Sequence, residues 1–453
     1  MQLALKALDL PVPPGSIIGM QDFKTSLDSA LHAINSGEFA EAERHCRVGI
    51  ELEPGSAQAW HLCGIACAQQ DLLEKAIECF ENSVKHKPSV ANYHYNLGLA
   101  YRKLNRLDEA ACCYRATIEK DPDHVEAHNN LATLLEERGE SSEAKELFRN
   151  ILERCPDSSI TQYNYGGLLE DCDQPEEAIK HYQLAVDADA NFAAAQHALV
   201  EALILLDRNE EAVETFRTWM KFHPQDEIAN HMKSVVTGEA PPDRCADDYV
   251  KATFDEHFAR TYETRLSKIG YQGPAIVEEA LRCLDSEMAD LDVLDAGCGT
   301  GLCGPILRPI ARKLVGVDLS PDMLDVSRQR NDYDELIESE LTSYLQANPS
   351  SFDLIVAADT LCYFGELSEV IAALGESLKP GGVFVFTVEC WDTKESSSSF
   401  DLQANGRYRH SESYVRQVVI DEELEQSRLV HEVVRSQRGQ AVDALVVTAT
   451  RRA

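Results

Sequence analysis

From Phe23 to Asp226 apolar positions recur at helical spacing in pairs of short amphipathic stretches, and the pairs repeat. Ala42, Ala76, Ala110, Ala144, Ala178 and Ala212 stand 34 residues apart. Pro54, Pro88, Pro122 and Pro156 keep the same step, Ala190 interrupts it and Pro224 resumes it. Four residues after each alanine comes a bulky or soft apolar residue: Cys46, Phe80, Tyr114, Phe148, Tyr182 and Phe216. A small residue precedes it: Ala30, Gly64, Gly98, Ala132 and Gly166, with Val200 in the sixth copy. The pattern predicts two helices per copy. Small residues let the helices cross closely, the aromatic fills the space between them, and proline breaks the chain before the next copy.

The period then changes. Glu227 to Gly238 predicts a helix that caps the last copy, and Gly238-Glu-Ala-Pro-Pro-Asp-Arg244 ends it. The domains expected are a tail over 1–22, repeats over 23–226, a cap and linker over 227–245, and a second domain over 246–453. In that domain Tyr249, Phe254, Phe258 and Tyr262 share one helical face, as a stripe turned toward a core. Short apolar runs follow: Leu291–Asp295, Lys313–Asp318, a poor one at Tyr333–Leu341, Ser351–Asp359 and Leu378–Glu389. These predict buried parallel strands, and Leu302–Leu314 predicts a helix after the first. Leu429–Arg435 and Ala441–Thr448 predict a closing hairpin. Cys390–Arg409, with Glu395–Phe400 inside it, reads as a long polar insertion before a helix over Ser411–Glu425.

Glycine at alternate positions carries the first chemical signal. Asp295, Gly297, Gly299 and Gly301 end the first strand, where the backbone can turn sharply and approach a ligand. Strand, glycine turn and helix make the nucleotide-binding start of an α/β domain. Gly299-Thr-Gly-Leu-Cys-Gly304 also satisfies the G-x-G-x-x-G spacing of dinucleotide sites. Asp295 separates the two. A pyrophosphate beside that carboxylate costs a few kcal/mol at an effective dielectric of about 20. A ligand with a cationic end suits it, and S-adenosylmethionine carries an ammonium and a sulfonium.

Charge and cysteine content narrow the partners. The 453 residues hold 77 Asp+Glu against 42 Lys+Arg, a formal charge of −35. Such a field repels nucleic acid and anionic membrane. The 14 cysteines include no C-x-x-C pair and no His/Cys metal spacing. Cys63, Cys67, Cys112 and Cys113 fall on helices, and Cys298 and Cys303 in and after the glycine turn. They read as reduced core thiols of a cytoplasmic protein, with no metal signalled. Met1–Pro14 lacks the apolar core of a signal peptide, and Met1 and Met20 are both open as the native start. No run of about 18 apolar residues suits a membrane span.

The 34-residue repeat resembles the tetratricopeptide repeat, best in Trp60–Gly64 and Tyr95–Tyr101. The resemblance implies an all-α, right-handed solenoid with a concave groove. It places Asn96, Asn130 and Asn164 in that groove, as a ladder that either binds an extended peptide or merely fills a common position. Glu136, Glu137, Glu170 and Asp171 lie nearby, and no Lys/Arg clamp accompanies them.

Asp295-x-Gly-x-Gly-x-Gly301 resembles motif I of the class I S-adenosylmethionine-dependent methyltransferases, and Leu378-Lys-Pro-Gly-Gly382 is similar to their last parallel turn. The resemblance implies a Rossmann-like α/β fold with a seven-stranded, mostly parallel sheet and an antiparallel C-terminal strand. It assigns cofactor contacts to Asp295, Gly297, Gly299, Gly301, Asp318 (ribose), Met323 (adenine face), Glu340 (adenine amino group), Leu341 and Asp359. Glu340 stands where the family has aspartate. Ser320 and Pro321 start the next helix. Phe254 to Tyr262 looks like the lead-in helix of small-molecule methyltransferases, one residue out of register, and implies that Tyr262, and with it Tyr249 and Phe254, closes over the cofactor.

Asp359, Tyr363 and His410 are the candidates for positioning or deprotonating the acceptor; His410 reads equally as a helix cap. Arg407, Tyr408 and Arg409 occupy the loop over the acceptor pocket, where the arginines meet either an anionic substrate or neighbouring acids. Thr360-Leu-Cys-Tyr363 is not the Asn/Asp-Pro-Pro-Tyr of nucleobase-amine and glutamine methylases, and no Pro-Cys nucleophile appears.

Three functions compete. The chain is a methyltransferase of a small-molecule acceptor whose repeats bind a protein partner or self-associate. It is a protein or peptide methyltransferase whose groove presents the substrate. Or it is a non-catalytic scaffold that binds S-adenosylmethionine.

Overall fold

The computed structural model describes residues 17–284, 288–391, 399–437 and 440–452. The chain divides into two compact units, residues 1–189 and 190–453.

The first unit is all helical over its described residues. Five helix pairs follow one another: Ile17–Asn35 with Phe39–Leu52, Ala57–Gln69 with Leu73–His86, Ala91–Lys103 with Leu107–Lys120, Val125–Glu137 with Ser141–Arg154, and Ser159–Asp171 with Pro175–Ala188. The first helix starts at Ile17, so Ile17–Asp22 belong to it and not to a tail; residues 1–16 lie outside the described residues. The small-to-large pairing inferred from the repeat is steric fact. A Cβ on Gly64 would sit 2.5 Å from the Phe80 ring, one on Gly98 2.7 Å from Tyr114, and one on Gly166 2.5 Å from Tyr182. Phe80, Tyr114 and Phe148 are fully buried in these crossings.

Two polar ladders run at the same period. Trp60 Nε1 donates to the Pro54 carbonyl at 2.9 Å, and His94, His128 and Gln162 reach the carbonyls of Pro88, Pro122 and Pro156 at 2.9, 3.1 and 2.8 Å. Each side chain ties its helix to the turn before it. The second ladder is the asparagine series. Asn96 Nδ2 lies 2.7 Å from His61 Nε2, Asn130 Nδ2 donates to the Tyr95 hydroxyl at 3.1 Å, and Asn164 Nδ2 donates to Asn129 Oδ1 at 3.2 Å. These amides join successive repeats.

The second unit opens with a sixth pair, Ala193–Leu205 and Asn209–Phe222, and the helix Glu227–Thr237. Gln196 donates to the Ala190 carbonyl at 2.9 Å, so the first ladder survives where proline is missing: it needs the carbonyl and not the ring. Asp226 caps Glu227–Thr237 through Ile228 and Ala229 N–H, and Gly238 ends it at φ +73°.

The nine strands among the described residues are β1 Leu291–Ala296, β2 Ala311–Asp318, β3 Glu335–Glu338, β4 Phe352–Ala357, β5 Leu378–Cys390, β6 Phe400–Leu402, β7 Tyr408–His410, β8 Leu424–Gln437 and β9 Gln440–Arg451. The main order is β3-β2-β1-β4-β5-β9-β8, parallel from β3 to β5 and antiparallel at β9 and β8. That is the expected seven-stranded sheet. The structure adds a hairpin, β6–β7, in the stretch read as insertion; residues 392–398 of that stretch lie outside the described residues. β7 pairs in parallel with the end of β5, beyond the last residue that β4 pairs there. The hairpin therefore extends the sheet at its C-terminal edge, over the end of β4.

Two helical expectations change. Leu302–Leu314 is not one helix: Gly304–Leu307 is helical, a 3₁₀ turn follows, and β2 begins at Ala311. Pro309 lacks the N–H that continuation needs. The aromatic stripe also divides. Asp247–Thr253 and Glu256–Lys268 are separate helices, with Asp255 capping the second through the Phe258 N–H at 2.8 Å.

Candidate functional site

A cavity lies at the C-terminal ends of β1, β2 and β4, where an open α/β sheet leaves a crevice. Its floor is the glycine turn. Gly297 and Cys298 donate to the Val317 carbonyl at 2.8 and 3.0 Å, which folds the turn back over β2. Gly297 has φ +74°, and a Cβ there would lie 2.3 Å from Thr360 Oγ1. Only glycine fits between the turn and the residue after β4.

Two of the four carboxylates in its lining, Asp295 and Asp318, flank the glycine turn. Asp295 is 2% exposed and accepts from the Tyr333 hydroxyl at 2.6 Å. Burial, aided by the Asp318 charge and opposed by that hydroxyl, pushes its pKa up to about 7. Asp318 ends β2 and accepts the N–H groups of Gly299 and Ser320 at 2.8 and 2.9 Å; burial raises it too, against those bonds. Neither carboxylate pairs with a cation among the described residues. The Thr300 hydroxyl, buried in the same lining, has no partner among them either.

The other expected contacts distribute as follows. Met323, Glu340 and Leu341 line the cavity. Glu340 also caps the helix Leu341–Ala347, accepting from Thr342 and Ser343 N–H at 2.9 and 2.7 Å. Tyr262 lines the cavity with Phe254, whose ring meets Phe258, Tyr262 and Tyr363 at 5.2, 6.2 and 5.7 Å. Tyr249 lies apart, stacked on His231 at 3.9 Å. Gly301 is not in the lining; at φ +82° its Cβ position faces Ser327.

Asp359 and Tyr363 line the cavity, and β7 brings Arg407 to them. The Arg407 guanidinium binds Asp359 and Glu389, donates to the Tyr363 hydroxyl at 3.0 Å and lies over that ring at 5.3 Å. Arg435 of β8 binds Glu389 and lies 3.5 Å from Asp359. Burial alone would raise Glu389; the two guanidiniums outweigh it and hold the carboxyl below its usual range. Arg407 thus meets neighbouring acids. Arg409 bonds Asp401 at 3.2 Å and lies over Trp391 at 5.7 Å, and the buried Tyr408 donates to the Pro242 carbonyl at 2.7 Å.

His410 is fully buried outside the lining. Its Nε2 lies 3.1 Å from the Gly365 carbonyl, and burial pushes its pKa down to about 4. Ser411, one residue on, is the cap of the following helix, through the Tyr414 N–H at 3.4 Å.

Sequence reasoning passed over Tyr271, Arg244, Thr360 and Phe364, all in the lining, and the pair Glu389–Arg435 behind it. Glu389 carried a usable signal, an acid closing an apolar strand as Asp295 and Asp318 do. The linker also reaches the site: Cys245 N–H donates to the Tyr363 carbonyl at 2.9 Å, and the Asp243 carbonyl accepts from Gly365 and Glu366.

Residues 294–386 match the methyltransferase domain family, and residues 73–112, 95–159 and 173–234 match tetratricopeptide repeat families. The chain therefore joins tetratricopeptide repeats to a methyltransferase domain. Among curated proteins, it is 32% identical over 116 residues to the ubiquinone biosynthesis O-methyltransferase of Thiobacillus denitrificans, covering 24% of this chain and 49% of that one. It is 29% identical over 111 residues to the malonyl-[acyl-carrier protein] O-methyltransferase of Serratia marcescens (24% and 43%) and 32% identical over 124 residues to the 18S rRNA (guanine-N(7))-methyltransferase of Mus musculus (26% and 43%). The chain spans less than half the length of these relatives. Among solved structures, it is similar to YrrB, a TPR protein with an unusual peptide-binding site (19% identity, 41% of this chain, 98% of that one, TM-score 0.35). It is also similar to an S-adenosylmethionine dependent methyltransferase from Mesorhizobium loti (20% identity, 38% and 96%, TM-score 0.31). Among the described residues no helix is long and apolar enough to cross a membrane.

Proposed function

We propose that this chain is an S-adenosylmethionine-dependent methyltransferase that acts on a small-molecule acceptor, with repeats that bind a protein partner or a second copy. One observation carries the cofactor: the buried Asp295 and the half-buried Asp318 line one cavity, and neither pairs with a cation among the described residues. A desolvated carboxylate without a counter-charge is costly, and a ligand with a cationic end and hydroxyl donors relieves both. The unpartnered Thr300 hydroxyl fits a polar ligand in the same place. Dinucleotide phosphates would meet the same acids repulsively.

In this assignment Asp295 holds the cationic amino-acid end, the glycine turn lies against it, Asp318 accepts from the ribose, and Met323 and Leu341 cover the adenine. S-adenosylmethionine supplies a methyl group already activated by a positive sulfur. What remains for the protein is alignment and exclusion of water. Phe254, Tyr262 and Tyr363 form an aromatic wall for that. Asp359 is held by Arg407 and fixes the wall's position; it is not a free base. The Tyr262 and Tyr363 hydroxyls are pushed up by burial, and His410 is turned to a backbone carbonyl. The lining therefore favours an acceptor that is nucleophilic without strong base assistance, such as a carboxylate or an acidic phenol. The asparagine amides are taken up between repeats, which weakens the peptide-presentation alternative.

The test is incubation of the full chain with methyl-labelled S-adenosylmethionine and cell extract, split into macromolecular and small-molecule fractions. Label in the small-molecule fraction is expected. Label confined to protein would overturn the acceptor class, and no label in either would favour the scaffold.

A further inference from the structure

Where the first repeat meets the second, three core positions depart from the later copies. Against the 34-residue register, Cys63 stands where later copies carry Leu97, Leu131 and Tyr165. Cys67 stands where they carry Tyr101, Leu135 and Leu169, and Cys46 where they carry Phe80, Tyr114 and Phe148. Packing explains the large residues and does not explain three replacements by small thiols on the successive helices Phe39–Leu52 and Ala57–Gln69. Cys79, from the partner helix Leu73–His86, joins them.

The thiols converge. The sulfurs of Cys63, Cys67 and Cys79 all lie within 4.8 Å of one another, and all three residues are buried. Cys63 and Cys67 are one turn apart on Ala57–Gln69, so both sulfurs leave the same face. With metal–sulfur bonds of about 2.3 Å, a trigonal ion needs its sulfurs about 4 Å apart, within reach of small side-chain rotations. Cys46 is within electrostatic range of Cys63 and Cys67, and Arg47 and Lys75 place positive charge toward Cys67.

We infer that Cys63, Cys67 and Cys79 form a three-thiolate site for a soft, thiophilic metal ion, of which Cu(I) is the best fit. Sulfur donors select soft ions, and three ligands without a fourth in the cluster among the described residues suit a d¹⁰ monovalent ion better than tetrahedral zinc. Three S–H bonds lose their protons to solvent as three metal–sulfur bonds form, and no atom changes oxidation state. The site would bind Ala57–Gln69, which has lost two large side chains, to Leu73–His86.

The test uses the full chain, reduced and held without oxygen, with Cu(I) supplied as its bicinchoninate complex. One Cu(I) per chain should transfer from the chelator, and affinity should fall at least tenfold in Cys63→Ser, Cys67→Ser and Cys79→Ser. Cys113→Ser, which changes the register equivalent of Cys79, should bind as the parent does. Alkylation of the unaltered chain, mapped by mass spectrometry, covers the case in which a variant fails to fold. Cu(I) should slow alkylation of the buried Cys63, Cys67 and Cys79 below its rate in the metal-free chain and leave that of the exposed Cys112 and Cys283 unchanged. No transfer from the chelator, or transfer without protection of those three, overturns the assignment.

Discussion

The Tyr333 hydroxyl donates to Oδ2 of Asp295 across 2.6 Å, at the floor of the cavity. This bond opposes the burial that lifts the Asp295 pKa to about 7. If the carboxylate holds the cationic end of the cofactor, affinity falls as pH drops through about 7, approaching tenfold per unit below it. Tyr333→Phe removes the bond that holds the value down, so the midpoint moves to higher pH. Isothermal titration of S-adenosylmethionine across pH measures both. Stability of the ligand-free fold has the opposite slope. The folded carboxyl binds its proton more tightly than an ordinary Asp near 3.9, so stability falls as pH rises from there to about 7. Affinity independent of pH in this window contradicts the role given to Asp295.

Arg407 is shared by the half-buried Asp359 and the buried Glu389. Arg407→Met should cost on the order of 3 kcal/mol in urea unfolding, because it leaves a carboxylate without its partner. The Glu389 carboxyl is held low, so its contribution is present above the ordinary Glu value near 4.3 and is lost as pH falls through its lower folded value. The acid limb of unfolding should therefore flatten in the variant. A loss within about 0.5 kcal/mol, the range of an indifferent surface change, contradicts the buried cluster.

Asn130 and Asn164 tie successive repeats through Tyr95 and Asn129. Each change to alanine should lower thermal stability by about 1 kcal/mol, the typical worth of one hydrogen bond. Calorimetry of the two single variants checks this. Unchanged stability, together with lost binding of a partner peptide, would return the ladder to the groove.

Local pattern carried much of the architecture into view. The 34-residue period set the helix pairs because each copy repeats one steric solution, as Gly64 against Phe80 shows. Strands ending in Asp295 and Asp318 marked the cavity because glycine and acid have few structural uses at that place. What stayed hidden depends on contacts between distant residues. Nothing near Arg407 in the sequence indicates that β7 will pair with β5 and carry it to Asp359, 48 positions away. The asparagines were periodic, yet period alone does not say which neighbour an amide will meet. The split of the aromatic stripe at Phe254 rests on one capping aspartate, Asp255, within an otherwise helical pattern.

The central claim is that the cavity at the ends of β1 and β2 binds S-adenosylmethionine through Asp295 and Asp318. Equilibrium binding of S-adenosylmethionine to the full chain and to Asp318→Ala tests it most directly. The account predicts micromolar binding to the parent and a dissociation constant raised at least tenfold in the variant, about 1.4 kcal/mol or more. Absence of binding to the parent, or equal affinity in the two proteins, would contradict it.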